Sequence, residues 1–251
     1  SVIHSDLIII SCTSVQRLSI CERLIKENYR SHIILEKFLF PTLKDIEIAR
    51  RLFFGYPSSI YVNQWLRKSV YKDLILNNFP NTLSFTIIGS RWGLLCNSVH
   101  FIDLVKHTMS IDSLKIDLGS SFITNIIKTK RVGFTDIYGC LSFVDQNNSL
   151  RLKLIDSEDF KSQMSLKIIL KNNFVTLNYF AKDNMLYDSN HIVVDKFPYL
   201  SNHSADSVIS ILSNYDPSIP TLSSSIDDHI LVLSSLNELL LNTDFPIPLI
   251  T

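Results

Sequence analysis

Glycine is scarce in this sequence, and neither sign of charge is in excess. Six glycines occur among 251 residues, and none belongs to a Gly-x-Gly-x-x-Gly or Walker phosphate-binding motif. The 24 basic and 24 acidic residues balance. This balance argues against nucleic acid and membrane surfaces as partners, because both attract an excess of positive charge.

Cysteine and long apolar runs are also sparse. The four cysteines form no Cys-x-x-Cys pair, which predicts reduced thiols in a cytoplasmic protein. No apolar run approaches the ~20 residues of a membrane-spanning helix, and no secretory signal opens the chain. At 19% charged residues and a mean hydropathy of +0.18, the chain is too apolar for disorder. Because the first residue is Ser1 rather than Met, we expect the sequence to begin partway into its gene.

Short apolar runs alternate with helical patterns over residues 1–62. The runs at 7–10, 32–35 and 60–62 predict strands. The segments between them predict helices, the first capped by Ser14 and the second by Thr42 with Asp45. This alternation is typical of right-handed crossovers in a parallel sheet.

The pattern changes over residues 63–251. Helices are predicted at 67–78, 94–109 and 226–241, and strands at 83–88, 121–127, 139–144, 150–155, 166–170 and 174–179. Asn147-Asn148 and residues 171–173 are expected at hairpin tips. The prediction is therefore an α/β protein in which a partial parallel sheet precedes an α+β domain with an open, mainly antiparallel sheet. The exposed face of that sheet suggests a homo-oligomer.

Two candidate ligand positions follow strands of the parallel sheet, where ligands of open α/β sheets bind. Ser11-Cys12-Thr13 follows the first strand; its hydroxyls could contact a ligand or simply cap the next helix. Glu36-Lys37 follows the second strand. A lysine beside a buried strand could polarise a hydroxyl or carbonyl, although an ion pair without chemistry is the alternative.

A third candidate is one face of the helix predicted at 94–109. Cys96, His100, Asp103 and His107 recur at offsets of four, three and four. One straight helix cannot surround a tetrahedral ion, so we expect no metal there. The face is either a catalytic histidine assisted by a carboxylate or a polar surface satisfied by neighbouring elements.

These three positions, in this order, carry a resemblance to the Gfo/Idh/MocA family of NAD(P)-dependent sugar oxidoreductases. The segment DLIIISCTS…HIILEKFLFPTLKDIEIARRL resembles the second half of the family's Rossmann domain, with Phe38 in place of the proline of its Glu-Lys-Pro signature. YVNQWLRKSVYKDLI is similar to the opening of the second domain. SRWGLLCNSVHFIDLV is similar to the family's Asp-x-x-x-His-x-x-Asp segment, with Cys96 in place of the first acid.

The resemblance implies a role for each matched residue. Lys37 and His100 would be catalytic, the first polarising the reacting hydroxyl and the second exchanging its proton. The residues that would border NAD or NADP are Ser11, Thr13, Glu36 and Lys37. The residues that would border the sugar are Arg67, Trp92, Cys96, Asn97 and Asp103. Residues 1–62 would be the C-terminal half of the dinucleotide-binding domain, and residues 63–251 the substrate-binding and oligomerisation domain.

The function that this resemblance implies is an oxidoreductase acting on a sugar or nucleotide-sugar, in the metabolism of surface-polysaccharide precursors. The family's glycine fingerprint is absent from these residues, which favours a second reading. In that reading the chain is a non-catalytic sugar-binding or interaction protein that retains the fold. A metal-dependent hydrolase built on His100 and His107 is a third reading, and it would require bound zinc.

Overall fold

The computed structural model describes residues 4–68, 70–78, 82–159, 164–170, 174–180, 185–187, 193–196, 200–241 and 243–251. The helices within these ranges are α1 Ser14–Lys26, α2 Leu43–Leu52, α3 Val70–Asn78, α4 Leu94–Met109, α5 Leu200–Leu212 and α6 Leu222–Leu240. The strands are β1 Leu7–Ile10, β2 His32–Leu35, β3 Ile60–Val62, β4 Thr82–Gly89, β5 Leu114–Ile116, β6 Phe122–Lys128, β7 Thr135–Asp145, β8 Arg151–Asp156, β9 Met164–Leu170, β10 Phe174–Phe180, β11 Met185–Tyr187 and β12 Val193–Lys196. No helix of the described segments is long and apolar enough to be a candidate membrane span.

The first sheet is parallel, as the alternating pattern predicts. Its order is β1-β2-β3, with Ile8 opposite Ile33 and Ile33 opposite Ile60. The ladder continues past the strand ends, since the Glu36 amide donates to the Ile10 carbonyl at 3.0 Å. The residues that follow β1 and β2 therefore lie side by side at the carboxyl edge of the sheet.

The second sheet has nine strands in the described segments and is mainly antiparallel. The order is β12-β11-β10-β9-β4-β8-β7-β5, and β6 also pairs with β7. The pairing of β4 with β8 is parallel, whereas the other pairings are antiparallel. The fold class predicted from the sequence is confirmed: a three-stranded parallel sheet is followed by a mixed sheet with helices.

Helix α6 joins the two parts of the molecule. It packs against α2, α4 and β3, and a bridge between Tyr61 and Thr221 places its N-terminus beside the first sheet. One apolar cluster runs from Ile33 in β2 through Val99 in α4 to Leu141 in β7. The division at residue 62 remains a prediction, because the apolar core is continuous across it.

Local structure differs from the sequence prediction at several places. Thr13, not Ser14, is the N-cap of α1; Ser14 instead donates from its hydroxyl to the Ile250 carbonyl. The predicted helix at 67–78 is split into a 3₁₀ turn, Trp65–Lys68, and α3. Thr42 caps α2 as predicted, by accepting from the Asp45 amide at 3.1 Å.

Helix α5 and the strands β5, β11 and β12 were not predicted, and helix α6 begins earlier than predicted. Helix α5 reads LSNHSADSVISIL, and its Ser, Asn and Asp residues favour turns in isolated sequence. The three-residue strand β5 is too short to show a period. Helix α6 begins at Leu222, where Thr221 caps it, rather than at residue 226. Asn148 has φ 55° in the turn between β7 and β8, whereas the predicted tip at 171–173 lies outside the described residues.

Candidate functional site

The loop after β2 presents two charged side chains in different directions. The Glu36 carboxylate accepts from Asn63 Nδ2 at 2.8 Å and from the Lys37 amide at 3.3 Å. Asn63 follows β3, so this contact ties together the ends of two neighbouring strands. The Glu36 side chain is thus anchored at the sheet edge, and it does not pair with the Lys37 ammonium.

The Lys37 ammonium is held by the first turn of α4. Lys37 Nζ donates to Asn97 Oδ1 at 2.5 Å and to the Cys96 carbonyl at 3.2 Å, and it lies 3.1 Å from Cys96 Sγ. Asn97 is itself fixed, because its Nδ2 donates to the Trp92 carbonyl. These acceptors orient the Lys37 ammonium, and no carboxylate of the described residues forms an ion pair with it.

A cleft of about 650 Å³ opens beside this lysine. It is bounded by the loop after β2, by the residues from Arg91 into the first turn of α4, and by the connection between β6 and β7. The residues predicted for the site that line it are Glu36, Lys37, Trp92, Cys96 and Asn97. Those that do not line it are Ser11, Thr13, Arg67, His100 and Asp103.

His100 is buried one turn beyond Cys96, with 6% of its surface exposed. Its Nδ1 has no hydrogen-bond partner among the described residues, and its ring meets the Trp65 ring edge-on at 6.1 Å. Burial lowers the pKa of His100 well below 6.5, and the charges of Lys37 and His229 lower it further. The imidazole is therefore neutral at physiological pH and close enough to sense the Lys37 charge.

A second buried imidazole, that of His229 on α6, was not foreseen. Its Nδ1 bonds the Ser225 carbonyl at 2.8 Å, and its ring lies 4.5 Å from that of Phe38. Its Nε2 has no partner within the described part of the chain. Burial lowers the pKa of His229 to about 3. In the sequence, His229 is a single histidine within the apolar pattern of α6. Nothing in that pattern indicates that it packs against the loop after β2, which carries Lys37 and Phe38.

Arg67 and Asp103 bind each other rather than line the cleft. The guanidinium makes two bonds to the carboxylate, at 2.8 and 2.6 Å, and both side chains are largely buried. Burial raises the pKa of Asp103, and the bonds from Arg67 oppose that shift. The sequence placed both residues at the site, and the structure shows them joining the 3₁₀ turn to α4.

Two carboxylates that the sequence analysis did not identify accept hydrogen bonds from backbone amides at the N-terminus of α4 and in the segment just before it. Asp136 accepts from the amides of Leu95 at 2.8 Å and Cys96 at 3.3 Å. Asp156 accepts from the Arg91 and Gly93 amides at 2.6 and 3.0 Å. Burial raises the pKa of Asp156 to about 6, and it also raises the pKa of Asp136. Asp136 thus satisfies amides in the first turn of α4, and Asp156 satisfies amides in the segment before the helix; both carboxylates are far in sequence from these amides.

A buried arginine holds the loops after β1 and β2 together. Arg17 on α1 is 1% exposed and donates to the Leu39 carbonyl at 2.6 Å and to the carbonyls of Phe38 and Cys12. The Lys37–Phe38 peptide bond within this loop is cis. Ser11 is exposed at the same edge. Thr13 makes no side-chain cap bond, so its hydroxyl is not committed to the helix.

Metal ligation has no support in the described segments, where no three His, Cys, Asp or Glu side chains are grouped as metal ligands would be. His100 and Asp103 on α4 have different surroundings. The imidazole belongs to the buried cluster near Lys37, whereas the carboxylate is paired with Arg67.

No protein-family model and no curated protein sequence matches this chain. Solved structures do match. A super-repressor mutant of Gal80p from Saccharomyces cerevisiae is 14% identical, with 95% of this chain and 79% of that chain covered and a TM-score of 0.70. The dehydrogenase MviM from Clostridium difficile is 15% identical over 93% of this chain and 79% of that one, with a TM-score of 0.66. The WlbA dehydrogenase from Bordetella pertussis, solved with NADH and UDP-GlcNAcA, is 10% identical over 98% and 80%, with a TM-score of 0.66.

The chain therefore has the fold of Gfo/Idh/MocA-type dehydrogenases and oxidoreductases, as the resemblance in the sequence implies. At these identities the likeness establishes the architecture alone. What the cleft does must be argued from its own residues.

Proposed function

We propose that this protein is an NAD(P)-dependent oxidoreductase acting on a sugar or nucleotide-sugar. The observation that carries the proposal is the position of Lys37. Its ammonium leaves the carboxyl edge of a parallel sheet and is fixed by Asn97 and Cys96 at the wall of a cleft. Ligands of open parallel sheets bind at that edge. Among proteins of this fold, WlbA was solved with NADH and a nucleotide-sugar, and an Agrobacterium radiobacter oxidoreductase with NAD⁺.

The residues present fit the nicotinamide end of a dinucleotide. Lys37 and Glu36 border the cleft, and the uncommitted hydroxyls of Ser11 and Thr13 lie at the neighbouring strand end. A Gly-x-Gly-x-x-Gly loop, which cradles a pyrophosphate, is absent from the 251 residues. When bound, a nicotinamide would supply the hydride acceptor or donor.

In the proposed reaction, Lys37 donates a hydrogen bond to the oxygen of the reacting carbon. That bond stabilises the negative charge that develops on the oxygen as its proton leaves. Trp92 and Asn97 line the same cleft and would orient the sugar. His100 would accept the proton in oxidation and return it in reduction only if ligand binding brings its imidazole, which does not line the cleft, into reach of the substrate. Because burial and the Lys37 charge oppose protonation of His100, an anionic substrate in the cleft would favour this transfer.

The finer parts of the proposal follow from the same function. They are the division into domains at residue 62, a cytoplasmic location, a role in surface-polysaccharide precursor metabolism, and self-association through the face of the mixed sheet. A homo-oligomer would bury exposed apolar side chains of that sheet, such as Phe122 on β6, which is 53% exposed. Size-exclusion chromatography with light scattering would measure the oligomeric state directly.

A second candidate function is a non-catalytic sugar-binding or interaction protein. It is favoured by the absence of the glycine loop and weakly by the Gal80p neighbours, one of which is described as a transcriptional regulator from Kluyveromyces lactis. A protein of this kind would bind a sugar in the cleft without turnover, and removal of the Lys37 ammonium would affect only sugar affinity.

Fluorescence titration with NADH distinguishes the two candidates, with the protein encoded by the complete gene as the sample. The proposal predicts saturable NADH binding to the wild type and weaker binding to Lys37→Met, which lacks the ammonium at the nicotinamide end of the cleft. Lys26→Met is the matched control, because Lys26 is exposed on α1 away from the cleft. A wild type that binds neither NADH nor NADPH contradicts the redox function and leaves the binding protein.

A further inference from the structure

The end of β6 and its connection to β7 bring a cluster of positive charge to the lining of the cleft. Lys128 ends β6, and Lys130 and Arg131 follow in the connection to β7; all three line the cleft and are exposed. We call these three residues the cationic hairpin. Arg91 and Lys37 bring the cationic side chains that line the cleft to five.

The carboxylates that line the same cleft are already engaged. Asp136 accepts three backbone amides, including that of Ile137 at 2.8 Å. Glu158 pairs with Arg91 at 3.2 Å, and Glu36 is bonded to Asn63. Across the described segments, no carboxylate pairs with any residue of the cationic hairpin. The cleft thus has an excess of positive charge although the chain as a whole is neutral.

Thr251 connects the cationic hairpin to the Lys37 end of the cleft. Arg131 donates to Thr251 Oγ1 at 3.2 Å, and a main-chain oxygen of Thr251 accepts from Cys96 Sγ at 2.7 Å. That same sulfur lies 3.1 Å from Lys37 Nζ. Because one residue bridges the two positions, Lys37 and Arg131 border the same part of the cleft. A ligand whose hydroxyl meets Lys37 would therefore bring its substituents to Arg131.

We infer that the cationic hairpin binds a negatively charged group on the sugar, either a carboxylate or a phosphate attached to the ring. The substrate class is then an anionic sugar: a sugar acid or a sugar phosphate, free or nucleotide-activated. This inference rests on the proposed function, since it assumes that the reacting hydroxyl lies at Lys37. The planar guanidinium of Arg131 suits the paired oxygens of either anion, and the two lysines add charge with less directional demand.

Calorimetry with matched sugars tests the inference without any cofactor. Glucose, galactose and mannose are each compared as the neutral sugar, the uronate and the 1-phosphate. At least one anionic form is expected to bind about tenfold or more tightly than its neutral parent, the factor supplied by a charge-assisted hydrogen bond. The uronate and phosphate arms show which anion is preferred. No preference for an anionic form in any of the three series overturns the inference.

Variants assign that preference to the cationic hairpin. Lys130→Gln and Arg131→Gln should each remove most of it, whereas the control Lys26→Gln should keep it. Both hairpin residues are exposed, so the thermal unfolding midpoint should not change. If the variants weaken NADH binding and leave the anionic preference intact, the cations serve the dinucleotide and the inference is wrong. If the anionic preference holds while the wild type binds no NADH, the anion site stands and the redox function fails.

Discussion

Replacing Arg67 with methionine tests whether the Arg67–Asp103 pair is structural. The substitution keeps much of the side-chain volume but leaves the Asp103 carboxylate, whose side chain is 2% exposed, without its two hydrogen bonds. Removing one partner of a buried pair typically costs about 3–5 kcal/mol, because the remaining charge is uncompensated. For a chain of this size, that corresponds to a fall in unfolding midpoint of about 10 °C.

The pH dependence of Arg67→Met supplies an independent check. Burial already raises the pKa of Asp103 in the wild type, and loss of Arg67 raises it further. A carboxyl whose folded-state pKa exceeds its unfolded-state value destabilises the fold at high pH and ceases to do so once it is protonated. The stability gap to the wild type should therefore narrow as pH falls from about 8 to about 5.

Urea denaturation of a double-mutant cycle completes the test. Arg67→Met with Asp103→Leu removes both charges, so the double variant should be more stable than Arg67→Met alone at neutral pH. A single Arg67→Met variant as stable as the wild type would refute the structural role. Arg67 would then again be a candidate residue for binding the substrate.

Three further predictions concern the turn and the buried groups around the cleft. Gly93→Ala should destabilise the fold by about 2 kcal/mol and weaken ligand binding, because Gly93 has φ +85° and an added Cβ would lie 3.0 Å from Asn97 Nδ2. The control is Gly133→Ala, where φ is similar but no atom lies close to the added Cβ. This control should cost about 1 kcal/mol of stability and leave ligand binding unchanged. His229→Gln should lose less stability than the wild type when the pH falls below 6.5. The folded wild-type imidazole has a pKa of about 3 and stays neutral, whereas the same imidazole in the unfolded chain binds a proton, so acid favours unfolding of the wild type. In urea denaturation the free energy of unfolding of the wild type should fall by about 1.4 kcal/mol more per pH unit than that of the variant, and parallel pH profiles would contradict this. Asp136→Asn should cost about 1–2 kcal/mol and speed amide exchange in the first turn of α4, and unchanged exchange there would show that the carboxylate does not cap the helix.

The sequence predicts those parts of the fold that local periodicity encodes. The β1-α1-β2-α2-β3 series is visible because buried strands are continuously apolar and the helices between them have a regular period. Helix α5 is hidden because its four serines, one Asn and one Asp favour turns in isolated sequence, and short helices depend on tertiary packing. The parallel pairing of β4 with β8 joins residues about 70 apart and has no local signature.

The residues of the candidate site show the same contrast between those with a local signal in the sequence and those without one. Lys37 was found from its position after a strand and Cys96 from a helical spacing, whereas Asn97 was named only through the family resemblance; the structure brings Cys96 and Asn97 into contact with Lys37. Asp136 and Arg17 act through backbone amides and carbonyls of distant segments, so nothing in their own surroundings in the sequence marks them. A catalytic role for His100 stays a prediction, because it is buried behind the cleft and is not among its lining residues.

A crystal structure of the protein encoded by the complete gene, grown with NADH and an anionic sugar, tests the central claim most directly. The account predicts that the nicotinamide ring and a sugar hydroxyl both lie in contact distance of Lys37 Nζ, with the sugar's anionic group at Arg131. Density for either ligand only at another surface, with Lys37 still bound to Asn97 and no ligand in the cleft, would contradict it.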